Sequence, residues 1–168
     1  KGKYIFKNGD EYEGDWKDSL QDGYGTMKYC DGEIYEGDWK NGKREGRGTV
    51  VFQDGEKYEG DWMNDKKHGK GKHTWKDGYE YEGDWKDDLQ DGYGTMKYCD
   101  GIIIYEGNWK NNKKEGKGTV ICCKLGVKYE GDWMNNKMNG KGKCIRKDGS
   151  EFEVNFKYGI MVQDEDCF

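Results

Sequence analysis

The stretch that decides the fold is Tyr-Glu-Gly-Asp-Trp at Tyr12–Trp16, which recurs along the whole chain. Five further copies, one of them with Asn in place of Asp, and a degenerate copy, Phe-Glu-Val-Asn-Phe, begin at Tyr35, Tyr58, Tyr81, Tyr105, Tyr129 and Phe152. Successive copies start 23 or 24 residues apart. A fixed period of this length is typical of repeat proteins, in which each unit buries its apolar face only against its neighbours.

Each repeat is predicted to form one β-hairpin. Apolar and charged residues alternate along Tyr12–Lys17, so that in a strand the aromatic rings and the glycine share one face and the two carboxylates the other. A polar connection with two glycines follows, and Thr26–Tyr29 has the alternation of a second short strand. Asp31-Gly32 then predicts a turn, because glycine adopts positive φ at little cost.

The positions of these strands and turns within the repeat predict a single array, with a half repeat at the start and a degenerate capping repeat at the end. Its segments are 1–11, 12–34, 35–57, 58–80, 81–104, 105–128, 129–151 and 152–168. A longer period lies above the first, since the sequence of Trp16–Gly32 recurs with one change as Trp85–Gly101. The array therefore reads as a triplet of repeats used twice.

The composition indicates a thin folded structure. Only 32% of the 168 residues are hydrophobic and 38% are charged, values that favour disorder. The 7 Trp, 13 Tyr and 5 Phe, however, recur at fixed phase. Because each large ring buries roughly 150 to 250 Å², we expect stacked aromatic rings to supply the core.

Charge and cysteine usage narrow the class of protein further. The net charge of −5 is spread evenly, and no basic block indicates a nucleic-acid partner. No apolar run approaches the roughly 18 residues of a membrane span. The six cysteines form no C-x-x-C pair, which favours reduced thiols and predicts a cytoplasmic protein; they are Cys30, Cys99, Cys122, Cys123, Cys144 and Cys167.

The segment Tyr35–Thr49, YEGDWKNGKREGRGT, resembles the MORN (membrane occupation and recognition nexus) repeat. The resemblance covers essentially the whole chain. It implies an all-β fold, an elongated, twisted single antiparallel sheet of successive hairpins, one per repeat, with an aromatic-lined groove on one side. It also implies a place in a cytoskeletal or membrane-associated assembly. Some members of the family precede an enzyme domain, so a regulatory MORN region of a larger enzyme is an alternative.

No constellation in the sequence favours catalysis, and we predict a non-enzyme without a metal or another cofactor. The Glu and Asp of each motif could form acid/base pairs or cation sites, but a solvated outward face explains them better. His73, which falls in an apolar column, is predicted to pack there and not to act as a ligand or base. Cys122, Cys123 and Cys144 could hold zinc at an assembly contact, although small buried or inert residues are favoured.

The aromatic positions divide into scaffold and surface. The structural positions are Trp16, Trp39, Trp62, Trp85, Trp109, Trp133, Gly14, Gly37, Gly60, Gly83, Gly107 and Gly131. Since one sheet cannot hide every ring without a second layer, we expect the others to line a groove. These candidates for partner binding are Tyr12, Tyr35, Tyr58, Tyr81, Tyr105, Tyr129, Tyr29, Phe52, Trp75 and Tyr98. The reading in which they only stabilise the sheet stays open.

The leading hypothesis is a scaffold that binds a helical or extended protein segment along this groove. Homodimerisation through the sheet ends is a companion idea. The alternative is a module for phosphoinositides or other acidic phospholipids, although the net negative charge argues against it. Its headgroup contacts would come from lysines assigned to the connections, namely Lys43, Lys66, Lys67, Lys70, Lys113, Lys114, Lys117, Lys137 and Lys141.

Overall fold

The computed structural model describes residues 1–98 and 103–162, and in these residues the chain is built from strands alone. Fifteen strands form one antiparallel sheet in which each strand pairs with the next along the chain. This confirms the predicted single open sheet of successive hairpins. The strands are β1 Gly2–Ile5, β2 Glu11–Lys17, β3 Leu20–Lys28, β4 Ile34–Lys40, β5 Lys43–Val51, β6 Lys57–Met63, β7 Lys66–Thr74, β8 Glu80–Lys86, β9 Leu89–Tyr98, β10 Ile103–Lys110, β11 Lys113–Cys122, β12 Val127–Met134, β13 Lys137–Ile145, β14 Glu151–Lys157 and β15 Ile160–Val162.

The chain divides into two compact units. Unit 1 comprises Lys1–Asp77 and Asp84–Asp88, whereas unit 2 comprises Gly78–Gly83 and the residues from Leu89 onward. Both contain the same hairpin, so packing is described within each unit.

The tight turn of each hairpin is two residues long, shorter than the predicted polar connection. Asp18 and Ser19 link β2 to β3 with φ angles of 48° and 64°, the positive values that a two-residue hairpin turn of this kind requires. The predicted connection is therefore wrong, and Leu20 already belongs to β3. Asn and Asp tolerate the left-handed region, which allows such turns without glycine.

The wider turn between β3 and β4 lies where Asp31-Gly32 predicts it, and other wide turns repeat its hydrogen bonds. In this turn the amide of Tyr29 donates to the carbonyl of Glu33 at 2.8 Å, and the amide of Gly32 donates to the carbonyl of Tyr29 at 3.0 Å. Phe52 makes the same bond to the carbonyl of Glu56 at 2.9 Å. An aromatic residue thus stands at the entrance of these two turns, whereas Cys122 and Arg146 take that place in two wide turns of unit 2.

The core of a repeat is a tyrosine ring lying across two glycines. Gly37 of β4 pairs with Gly48 of β5, and the Tyr35 ring, fully buried, covers both. A Cβ at Gly48 would lie 2.6 Å from Cε2 of Tyr35. The hydroxyl of Tyr35 donates to the carbonyl of Asp38 at 3.0 Å. Only glycine leaves the space that this ring occupies.

Each tryptophan joins its own repeat to the one before it. The Trp39 indole donates from Nε1 to the carbonyl of Gly25 at 3.2 Å. Its ring meets Tyr35 edge-on at 5.1 Å and Tyr12 of the preceding repeat at 5.4 Å. Edge-to-face pairs of this kind contribute about 0.5 to 1.5 kcal/mol beyond their buried area. In unit 2, Trp109 contacts Tyr105 and Tyr81 in the same way.

The aspartate of the motif has a structural role that the prediction of a merely solvated carboxylate missed. The pairing of β4 with β5 shifts register between Gly37 and Trp39, which places Asp38 in a β-bulge. Its Oδ2 atom accepts the amide of Arg47 at 2.9 Å. The same bond runs from Tyr24 to Asp15 and from Lys70 to Asp61. These carboxylates therefore satisfy a backbone amide where the bulge interrupts the ladder.

We expect Gly48→Ala to lower the free energy of unfolding by about 3 kcal/mol, because the added methyl group overlaps the Tyr35 ring. Gly55→Ala is the matched control. A Cβ added at Gly55 would meet no atom within 4 Å, and Gly55 has a φ of 90°, so its substitution is expected to cost about 1 kcal/mol of backbone strain. Urea unfolding followed by tryptophan fluorescence measures both, and equal losses would contradict the role assigned to the ring.

Candidate functional site

One line of aromatic side chains stays half-buried on the face that carries the core. Its members in unit 1, named here the aromatic column, follow β1, β3, β5 and β7, and unit 2 contributes one equivalent ring. The aromatic column consists of Phe6, Tyr29, Phe52 and Trp75, and the equivalent ring is Tyr98. Of the residues predicted to bind a partner, Tyr29, Phe52, Trp75 and Tyr98 keep ring surface that a partner could contact.

The motif tyrosines are placed differently. Tyr12, Tyr35, Tyr58, Tyr81 and Tyr105 are 0% exposed, and Tyr129 is 4% exposed. Burial raises the pKa of Tyr12 and of Tyr129 to about 12 and that of the hydroxyl groups of Tyr35, Tyr58 and Tyr105 further. Rings without exposed surface have nothing to offer a ligand. The structure thus corrects their assignment to a ligand-facing surface and makes them the core.

Arg44 covers the aromatic core beside the column. It lies opposite Trp39 in the register of β4 and β5, and its guanidinium lies over the ring of Trp62 at 4.3 Å. The guanidinium also donates to the carboxylate of Glu33 at 3.2 Å and to the carbonyl of Asp65 at 3.0 Å. A cation over a ring is attracted to the negative face of the π-system. Arg44 thereby seals the rings on the side where no second layer exists.

Lys67 does the same one repeat later. Its ammonium lies 5.0 Å from the centre of the Tyr58 ring and 5.1 Å from that of Trp85. Burial lowers the pKa of Lys67 to about 8. The tight turn of the next hairpin holds its backbone, because the amide of Lys67 donates to Oδ1 of Asp88 at 2.8 Å while the Asp88 amide donates to the carbonyl of Lys67 at 3.0 Å. The ammonium position is thus fixed by strand pairing.

His73 completes this cluster, packed in the apolar face as predicted. Its ring stacks on Trp75 at 4.4 Å with 9° between the planes, and Phe52 lies 6.4 Å away on nearly parallel planes. Nδ1 lies 2.8 Å from the Lys67 ammonium; since an ammonium only donates, the ring proton is on Nε2, 3.4 Å from a carboxylate oxygen of Glu56. Burial, and then the charge of Lys67, lower the pKa of His73 to about 4. The neutral imidazole fills the space between two rings of the column.

An acidic cleft opens beside the column. It has a volume of about 320 Å³ and is lined by Asp31, Glu33, Phe52, Gln53, Asp54 and Glu56. Four of these six residues are carboxylates and none is a cation. Burial raises the pKa of Glu33, although the charge of Arg44 opposes that rise. The cleft therefore combines the face of one aromatic ring with an excess of negative charge.

Unit 2 contains a related arrangement. Tyr98 meets Tyr79 edge-on at 5.8 Å. The Lys114 ammonium lies 5.0 Å from the Tyr98 ring and 4.7 Å from the Tyr105 ring, and burial lowers the pKa of Lys114. A half-buried aromatic ring next to a cation that covers the core thus occurs in both units.

The lysines assigned to connections lie on strands instead. Lys67 and Lys114 direct their ammonium groups over aromatic rings, whereas Lys70 and Lys117 form ion pairs with Asp84 and Asp132 at 2.6 and 2.7 Å. The connections are too short to hold them, since each tight turn has two residues. Lipid binding through these lysines stays a prediction.

The remaining predictions concern the cysteines, metal ions and membrane spans. Cys30, Cys122, Cys123 and Cys144 are free thiols, while Cys99 and Cys167 lie outside the described residues. In the described parts of the chain, no three His, Cys, Asp or Glu side chains lie close enough together to hold a metal ion. Nor does any helix in those parts have the length and apolar character to cross a membrane.

Sequence reasoning missed the residues that cover the core, although a signal for them exists. Five residues after each motif tryptophan stands a long, unbranched side chain, whatever its charge. These residues are Gln21, Arg44, Lys67, Gln90, Lys114 and Met138. The shared property is length and flexibility, which lets the side chain lie across a ring.

Comparison with known proteins gives the following similarities. The family model described as the MORN repeat matches residues 1–11, 12–34, 35–57, 58–78, 81–103, 105–124 and 129–151. No curated protein matches the chain. Among solved structures, the SAS-4 (dCPAP) TCP domain of Drosophila melanogaster, in complex with a proline-rich motif of Ana2 (dSTIL), is similar with a TM-score of 0.56 and 14% identity, over 90% of this chain and 81% of that chain. Identity this low shows a common fold only.

We expect the stability of the protein to fall on mild acidification through His73. Its pKa of about 4 in the folded chain lies below the value of 6.5 expected when unfolded, so below about pH 6.5 the unfolded chain binds a proton that the folded chain does not. His73→Met, which introduces the residue found at the equivalent Met27 and Met96, should remove this loss.

Urea unfolding at about pH 7 and about pH 5 measures the effect. Wild type should lose more of its free energy of unfolding between these values than His73→Met, with Lys67 and Glu56 present in both proteins. Parallel losses would show that the imidazole is not held neutral in the stack.

Proposed function

We propose that this chain, which belongs to the MORN repeat family, is a non-enzymatic protein-interaction scaffold that binds a protein segment along the aromatic column. The observation that carries the proposal is the division of the rings. The motif tyrosines are sealed in the core, whereas Phe52 and Trp75 keep accessible surface and are held by the buried His73 between them. We place the scaffold in a cytoplasmic assembly associated with the cytoskeleton or a membrane.

Rigid, half-exposed rings favour binding for a physical reason. A large ring supplies contact area with little loss of side-chain entropy, and a ring already fixed by stacking loses less still. His73 stacks against both Phe52 and Trp75, and its two ring nitrogens lie close to Lys67 and Glu56. The similar TCP domain was solved with a proline-rich motif of another protein, which supports a segment as the type of partner.

We expect Trp75→Ala to weaken binding of such a segment by about tenfold or more, as loss of a central aromatic anchor does. The probe is a peptide selected on the wild-type protein from a phage-displayed library of random dodecapeptides. Its dissociation constant is measured by fluorescence anisotropy. In parallel, the indole N–H signals of the 7 tryptophans are followed by NMR, and the Trp75 signal should shift on binding.

Tyr24→Ala is the matched control. Tyr24 is 51% exposed and lies on the opposite face, where its hydroxyl donates to Glu36, so this variant should bind the peptide like wild type. Circular dichroism and urea unfolding check that both variants are folded. If every selected peptide binds Trp75→Ala as tightly as wild type and leaves the Trp75 signal in place, the column is not the binding surface.

A further inference from the structure

The spacing of the aromatic column is set by the sheet. Its four rings follow alternate strands, β1, β3, β5 and β7, at intervals of 23 residues. Neighbouring strands lie about 4.8 Å apart, so equivalent positions two strands apart are separated by about 9.6 Å. The steps from Phe52 to His73 and from His73 to Trp75, 6.4 and 4.4 Å between ring centres, allow a separation of this size. The column is therefore a regular series of half-buried rings.

One backbone conformation has the same period. A polyproline II helix contains three residues per turn with a rise of about 3.1 Å each, so every third side chain returns to the same face after about 9.3 Å. An α-helix advances about 5.4 Å per turn. A strand returns to the same face after about 6.8 Å. An α-helix meets the ring interval only after two turns, whereas polyproline II meets it after a single turn and so places every residue of one face on a successive ring.

The charged side chains beside the aromatic column favour a partner with basic side chains. Asp31, Glu33, Asp54 and Glu56 line the cleft at Phe52, and Glu33 pairs with Arg44. A basic side chain entering the cleft would meet the remaining carboxylates and the face of Phe52 together, and a guanidinium satisfies both kinds of contact. An acidic side chain would be repelled there.

Resting on the proposed function, we infer that the bound segment is a basic, proline-rich segment in the polyproline II conformation. A proline at every third position packs on successive rings of Tyr29, Phe52 and Trp75. An arginine or lysine between two of these prolines enters the acidic cleft. Such a segment is extended before it binds, which reduces the entropy lost on association.

Three fluorescein-labelled peptides test the inference. The first has proline at every third position and one arginine; the second has the same composition with the prolines four apart; the third has glutamate in place of the arginine. Anisotropy titrations with wild-type protein should give dissociation constants about tenfold higher for the second and third peptides than for the first.

Two variants locate the contacts. Phe52→Ala should weaken binding of the first peptide about tenfold, whereas Glu56→Gln should reduce the preference for arginine over glutamate and leave the preference for the three-residue spacing. Tyr24→Ala should bind all three peptides like wild type. Raising the salt concentration should reduce the arginine preference as well, since it rests on charge.

The outcomes separate this inference from the proposed function. Equal affinity for the two proline spacings overturns the register, and equal affinity for arginine and glutamate overturns the cleft contact. If none of the proline peptides binds while a library-selected peptide still shifts the Trp75 indole, the partner class is wrong and the binding surface stands. If Phe52→Ala leaves the affinity for the first peptide unchanged, that peptide does not bind along the aromatic column and the inference is wrong.

Discussion

The packing of a tyrosine ring on a pair of glycines is the constraint from which the rest of the structure follows. Gly37 and Gly48 face each other on adjacent strands, and the Tyr35 ring fills the space that two Cβ atoms would take. Because the ring lies flat, its edge is presented to the tryptophans of its own and the next repeat. A sheet of one layer gains a core in this way, with the thickness of a ring instead of a second sheet.

The aromatic rings of such a core must also be covered on the side that has no second layer, and side chains from the sheet's own strands cover them. Arg44 and Lys67 lie across the rings and are held by the turns of the following hairpins. Their charges are accepted there because ring faces attract cations and because Glu33 and Glu56 lie nearby. The column that ends at Trp75 is left half-exposed, so the proposed binding surface and the buried core use different rings.

Much of the fold could be predicted from the sequence, because a period of 23 residues and strict alternation leave one hairpin per repeat as the simplest solution. The roles of individual rings could not. Tyr35 and Tyr29 are both tyrosines at apolar phases, and only the glycines opposite Tyr35 separate the buried ring from the half-exposed one. Likewise Asp38 looks like any outward carboxylate until the bulge shows which amide it accepts. The acidic cleft joins residues from two consecutive wide turns, a neighbourhood that no local pattern contains.

The covering position five residues after each tryptophan separates two kinds of change. Gln, Arg, Lys and Met all occupy it in this chain, and the Arg and Lys side chains at this position lie over rings of the core. Substitutions at this site can alter the polarity of one repeat at a time while the tyrosine and glycine pair beneath stays fixed. Duplication and point mutation can therefore change what such an array recognises while its fold is retained.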